Sequence, residues 1–126
     1  MSLSILLVDD SKIIRKVIAK ELPSIFKDRE LKLTEAADGN EALEYLCSNS
    51  YDLVFLDLTM PEKNGYEVLE ALNEKGIKAN IIVLTADIQP EAEKIVKKLG
   101  AVGYIRKERP LNITPLIEIL QETGML

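Results

Sequence analysis

The sequence predicts an α/β fold: five βα units forming a doubly wound parallel sheet of five strands, with helices on both faces. Three observations predict it. Five short apolar runs alternate with five amphipathic segments along the 126 residues. The runs are mostly continuous rather than alternating, the pattern of strands covered on both faces of a parallel sheet. The amphipathic segments repeat apolar residues at helical spacing and are punctuated by Gly, Pro and Asp.

The first strand is Ser4-Ile5-Leu6-Leu7-Val8, and the helix after it spans Ser11 to Phe26, with Ile14, Val17, Ile18 and Leu22 inward. Asp10 or Ser11 caps its start. The second strand, Leu31 to Ala36, alternates more and reads as an edge strand. Asp38-Gly39-Asn40 turns into a helix from about Gly39 to Ser48, with Ala42, Leu43, Leu46 and Cys47 expected inside. The third strand, Leu53 to Leu56, stops at Asp57, and a loop from Thr59 to Gly65, broken by Pro61, leads to a helix carrying Val68, Leu69 and Leu72. Ile81 to Leu84 form the fourth strand, ending at Thr85. A helix from about Pro90 presents Ala92, Ile95, Val96 and Leu99, with Gly100 suited to its end. Val102 to Ile105 form the fifth strand, and the last helix places Ile113, Leu116, Ile117 and Leu120 on one face, with Pro115 in its first turn. Residues 1–126 read as one domain, without repeat, linker or low-complexity tract.

Composition narrows the chemistry. With no histidine, the chain has no His-based metal site, no Ser-His-Asp triad and no phosphohistidine of its own. The lone Cys47 excludes an intrachain disulfide and reads as a small core hydrophobe rather than a reactive thiol. A cytoplasmic location without membrane insertion is expected, since no apolar run is long enough to span a bilayer and the residues before Ile5 carry no secretory pattern. The net charge of −5 argues against direct nucleic-acid binding.

Ligands of open parallel sheets sit beyond the carboxyl ends of the strands. There the chain places Asp9-Asp10, Asp57, Thr85 and, after the fifth strand, Lys107. Each has an ordinary explanation alone: a helix cap for Asp10 or Thr85, a turn for Asp57, a solvated side chain for Lys107. Together they are harder to dismiss. Three converging carboxylates repel unless one is protonated or a cation lies among them, and a hard divalent ion, best Mg²⁺, suits oxygen donors eked out by water. A carboxylate there can attack phosphorus to give an acyl phosphate, with Lys107 and Thr85 neutralising and hydrogen-bonding the phosphoryl oxygens.

Leu6-Leu7-Val8-Asp9-Asp10-Ser11, Leu56-Asp57-Leu58-Thr59-Met60-Pro61 through Gly65, Leu84-Thr85-Ala86, Gly100-Ala101 and Gly103-Tyr104-Ile105-Arg106-Lys107 occur in this order. The pattern resembles the receiver domains of two-component response regulators over essentially the whole chain. The resemblance implies the flavodoxin-like strand order 2-1-3-4-5. It implies that Asp9, Asp10 and Asp57, with the backbone carbonyl of Thr59, bind Mg²⁺. Asp57 would receive a phosphoryl group from a sensor histidine kinase or phosphotransfer protein. Thr85 and Tyr104 would form a switch pair, altering the surface of the fourth helix, fifth strand and fifth helix for a downstream protein partner. The unphosphorylated chain is expected to be a monomer.

One departure stands out. The family's lysine is normally followed by proline, whereas here Glu108 and Arg109 separate Lys107 from Pro110. Arg106 or Arg109 is the substitute if Lys107 points away. Thr59 and Asp87 occupy positions that influence phosphoryl lifetime in the family. Lys94, Lys97 and Lys98 read as a solvated helix face, with partner docking as the sharper alternative. Competing functions are a phosphorylation-independent interaction module, an aspartyl phosphatase, disfavoured by Thr59 where a second carboxylate would stand, and a flavin carrier, disfavoured by Asp9-Asp10 where a phosphate would bind.

Overall fold

The computed structural model describes residues 2–60, 62–86, 89–108 and 111–126. Expectations on Pro61, Asp87, Arg109 and Pro110 therefore lie outside the described residues. Ten elements follow one another: β1 (Ser2–Val8), α1 (Lys12–Ile25), β2 (Glu30–Ala36), α2 (Gly39–Ser48), β3 (Leu53–Asp57), α3 (Gly65–Lys75), β4 (Asn80–Thr85), α4 (Pro90–Lys98), β5 (Gly103–Arg106) and α5 (Thr114–Glu122). All pairings are parallel and the strand order is β2-β1-β3-β4-β5. The chain steps one way from β1 to β2 and the other way from β3 onward. Right-handed crossovers then put α1 on one face of the sheet and α2 to α4 on the other.

Strand alternation divides the core accordingly. Ile5, Leu7, Leu53, Phe55, Ile82, Leu84 and Ile105 pack with Ile18 and Leu22 of α1 and Leu116 and Leu120 of α5. Leu6, Val8, Val54, Leu56, Ile81 and Val83 pack with Ala42, Leu46, Val68, Leu69, Leu72 and Val96 from α2, α3 and α4. Each fully buried aliphatic side chain contributes about 1.5–3 kcal/mol relative to exposure. β2 is the edge strand that its alternation predicted, and its Leu33 is partly open to solvent.

The helix starts follow from local chemistry. Ser11 caps α1 by accepting from the Ile14 amide at 3.3 Å, so Asp10 is released from capping. Asp38 caps α2 through the Glu41 amide, and Asn64 with Glu67 closes a capping box on α3. Pro90 and Pro115 sit in the first turns of α4 and α5, where no amide hydrogen is needed.

Three inward assignments are corrected. Cys47 is exposed, because the buried stripe of α2 centres on Ala42 and Leu46 and Cys47 lies a third of a turn past it. Ile95 is exposed because Val96 is the buried centre of α4, and Ile117 is partly exposed beside the buried Leu116 and Leu120 of α5.

Candidate functional site

Sheet register builds the site. Val8 pairs with Leu56, so Asp9 and Asp57 follow side by side at the ends of β1 and β3. These are the adjacent strands between which the chain reverses direction across the sheet, the place where open α/β sheets hold ligands. Asp57 pairs with Leu84, and Thr85 pairs with Arg106, which sets Lys107 one step beyond. The Lys107 amide continues the ladder to the Thr85 carbonyl at 2.7 Å.

Alternation then sorts the side chains. Asp9, Asp57 and Lys107 continue the series Ile5-Leu7, Leu53-Phe55 and Ile105, which faces α1 and α5. They meet: Lys107 Nζ lies 2.7 Å from Asp9 Oδ2 and 3.0 Å from Asp57 Oδ2. Asp9 and Asp57 are buried, and the Lys107 side chain is largely so. Thr85 is buried as well, but it continues the Ile81-Val83 series on the opposite face, where half-buried Tyr104 packs against the α2–α4 core.

The loops hold the two buried carboxylates alike. The Ser11 amide donates to Asp9 Oδ1 at 2.8 Å, and the Thr59 amide donates to Asp57 Oδ1 at 3.1 Å. The second oxygen of each, Oδ2, is touched by the Lys107 ammonium but receives no hydrogen bond of good geometry. Burial raises the Asp57 carboxyl to about 6, and the Asp9 charge adds to the rise, while Lys107 and the Thr59 amide oppose it. Burial works to lower the Lys107 ammonium, but the two carboxylates outweigh it, so its pKa stands above the usual 10.5.

Asp10 is exposed and completes the cluster: Asp9, Asp10 and Asp57 each offer an oxygen, all within 4.8 Å of one another. Three carboxylates against the one Lys107 ammonium leave two formal negative charges, which a divalent cation balances. Oxygen donors only, and buried Oδ2 atoms lacking directed partners, fit Mg²⁺.

Arg106 is exposed on the other face of β5, so it is no substitute for Lys107. The loop after Asp57 is pinned at two glycines. A Cβ on Gly65 would fall 2.5 Å from the Asp57 carbonyl oxygen, and one on Gly39 would fall 2.0 Å from the Lys63 carbonyl oxygen. Glu62 in this loop has φ 67°, a left-handed conformation rare for a residue with a side chain. Sequence reasoning passed over Arg15. Its Nε donates to Glu35 Oε1 at 2.8 Å and its Nη1 to the Asp9 carbonyl. A lone arginine on a helix gives no signal, because its partners here lie at the ends of two paired strands.

Known proteins resemble this chain over most of its length. Residues 5–121 match the family described as the response regulator receiver domain. The chain is 34% identical over 122 residues to the chemotaxis protein CheY of Halobacterium salinarum, covering 95% of this chain and 98% of that protein. It is 36% identical over 103 residues to the transcriptional regulatory protein DltR of Streptococcus agalactiae, covering 82% of this chain but 44% of DltR, so it spans under half the length of that relative. The solved response regulator TrrA of Thermotoga maritima, in complex with Mg²⁺-BeF, superimposes with a TM-score of 0.76 at 34% identity, covering 97% of this chain and 98% of TrrA.

Proposed function

The chain belongs to the response regulator receiver family, and on that premise we propose that it accepts a phosphoryl group on Asp57 in a Mg²⁺-dependent reaction, drawn from a sensor histidine kinase or a phosphotransfer protein. The observation that carries this reading is the buried pair Asp9 and Asp57 with Lys107 between their Oδ2 atoms. A purely structural pair would leave no reason to bury two like charges beside an exposed third.

Asp9, Asp10, Asp57 and the Thr59 backbone carbonyl would hold the cation. Bound there, Mg²⁺ supplies neutralising charge to the transferred phosphoryl group. The remaining work falls to the protein. A carboxylate oxygen of Asp57 forms a new bond to phosphorus as the donor's bond to phosphorus breaks and the donor keeps that electron pair. With Asp57 titrating near 6, the nucleophile is already ionised at neutral pH and needs no general base. Lys107 offers its ammonium to the phosphoryl oxygens, and Thr85 offers a hydroxyl at the adjacent strand end.

In this reading the chain is a signalling domain that modifies itself, not an enzyme turning over free substrate. Thr85 and Tyr104 share the sheet face toward α4 and form the switch pair. The downstream protein docks on α4, β5 and α5, where Lys97, Tyr104, Arg106, Glu118 and Ile119 line a groove and Ile95 and Ile117 stand exposed on the two helices. Nucleic acid is not bound directly, and no described helix is long and apolar enough to cross a membrane.

The test is incubation with Mg²⁺ and acetyl phosphate, followed by intact mass, beside Asp57→Asn and a metal-free control. One phosphoryl group gained by the parent with Mg²⁺ alone is expected. Equal labelling of Asp57→Asn, or none in any sample, would sink the reading.

A further inference from the structure

The other basic side chains of α1, Lys12, Lys16 and Lys20, are exposed, but the Arg15 side chain is only 13% exposed and lies folded against the ends of β1 and β2. It spans two partners there, the Glu35 carboxylate on β2 and the Asp9 carbonyl at the end of β1. That carbonyl belongs to the peptide joining Asp9 to Asp10. The Asp9 amide is tied to β2 as well, donating to the Ala36 carbonyl at 3.1 Å. Both main-chain polar groups of Asp9 are thus referred to the last two residues of the edge strand, one directly and one through Arg15.

We propose that Arg15 is a positioning residue for the cation site: by clamping the Asp9 carbonyl to Glu35 it fixes the Asp9–Asp10 peptide, and with it the angle at which the two carboxylates meet a divalent ion. The inference rests on the Mg²⁺ reading above. Electrostatics makes it sharp. A guanidinium beside a cation site opposes cation binding by charge alone. If Arg15 acted only as a charge, removing it would tighten the metal. If it holds the geometry, removing it loosens the metal, as losing a ligand-orienting partner does elsewhere.

The experiment titrates the parent, Arg15→Ala, Arg15→Lys and Glu35→Gln with Mn²⁺ as a spectroscopic stand-in for Mg²⁺, counting free ion by electron paramagnetic resonance. Circular dichroism verifies folding. The expected result for Arg15→Ala is a dissociation constant raised about 10–100-fold. Arg15→Lys keeps the charge but lacks the planar fork that reaches both partners, so it too weakens binding. Glu35→Gln, which frees the far end of the clamp, gives a smaller weakening. In metal-free protein, hydrogen exchange of the Ser11 amide on Asp9 quickens in Arg15→Ala. A folded Arg15→Ala that binds Mn²⁺ as tightly as the parent, or more tightly, overturns the proposal. If that variant does not fold, unchanged binding by Arg15→Lys and Glu35→Gln overturns it instead. A parent that binds no Mn²⁺ overturns the Mg²⁺ reading together with the clamp.

Discussion

Two aspartates bracket β3, one just before it and one at its end, and their surroundings differ in every respect. Asp52 exchanges hydrogen bonds with Ser4: its amide donates to the Ser4 carbonyl at 2.8 Å, and its Oδ2 accepts from the Ser4 amide at 2.8 Å. Its own carbonyl accepts from Asn80 at 3.3 Å, and the residue is exposed. Asp57 is buried beside a second carboxylate, with one oxygen on an amide and the other against an ammonium. The first aspartate ties β1, β3 and β4 together at the amino end of the sheet. The second holds a charge that burial disfavours. Residue type is the same; what the strand ends supply around it decides whether it is a staple or, in the function proposed above, a nucleophile.

The widest separation between the two is in reactivity. Asp57→Asn should abolish the Mg²⁺-dependent mass gain, while Asp52→Asn should label at a rate within about twofold of the parent, because a surface substitution far from the site leaves its charges in place. Equal loss in both would erase the distinction. Next, Lys107→Ala should slow phosphorylation by acetyl phosphate about 100-fold, the scale of losing one fixed electrostatic partner. The same variant should bind Mg²⁺ no more weakly, since a positive charge has been taken away. Stopped phosphorylation time courses and a metal titration read the two effects.

Proton linkage gives a third contrast. The folded Asp57 carboxyl titrates near 6 against an ordinary 3.8, so between those pH values the native state binds more protons than the unfolded one. Without divalent cation, stability should therefore fall as pH rises from about 4 to about 6. Urea midpoints across that range should show the fall in the parent and a smaller one in Asp57→Asn, which has no proton to lose. The smallest effect concerns the staple itself: Asp52→Ala should cost about 1 kcal/mol of unfolding free energy, the worth of an exposed hydrogen bond, with no change in labelling beyond about twofold.

Element order, strand direction and the edge character of β2 were legible because each rests on local pattern. Continuous apolar runs of four or five residues suit covered strands once Asp-Gly, Asn-Gly and Pro positions mark the turns between them. The convergence of Asp9, Asp57 and Lys107 was legible too, since strand ends in a parallel sheet meet on one edge whatever the details. The flanks of the helices were not. Cys47, Ile95 and Ile117 each border a buried stripe, and a helical period of 3.6 leaves such positions to be decided by what packs beside them. Arg15 was invisible for another reason: its partners, a carbonyl and a glutamate on a neighbouring strand, exist only once β1 and β2 are paired. The edge strand offered no sign of that role.

The alternation that carries Asp9, Asp57 and Lys107 to one face of the sheet, and Thr85 and Tyr104 to the other, also sets what kinds of inheritance the molecule tolerates. Point substitutions along β5 change one neighbour at a time. Deletion of Ile105 or Arg106 behaves as a parity error: it puts Tyr104 and Lys107 on the same face, so either the ammonium turns away from both carboxylates or Tyr104 enters the opposite layer. Loss of two residues keeps parity and only shortens the strand. Glu108 and Arg109 come after Lys107, downstream of the counted stretch, so their extra length costs the alternation nothing.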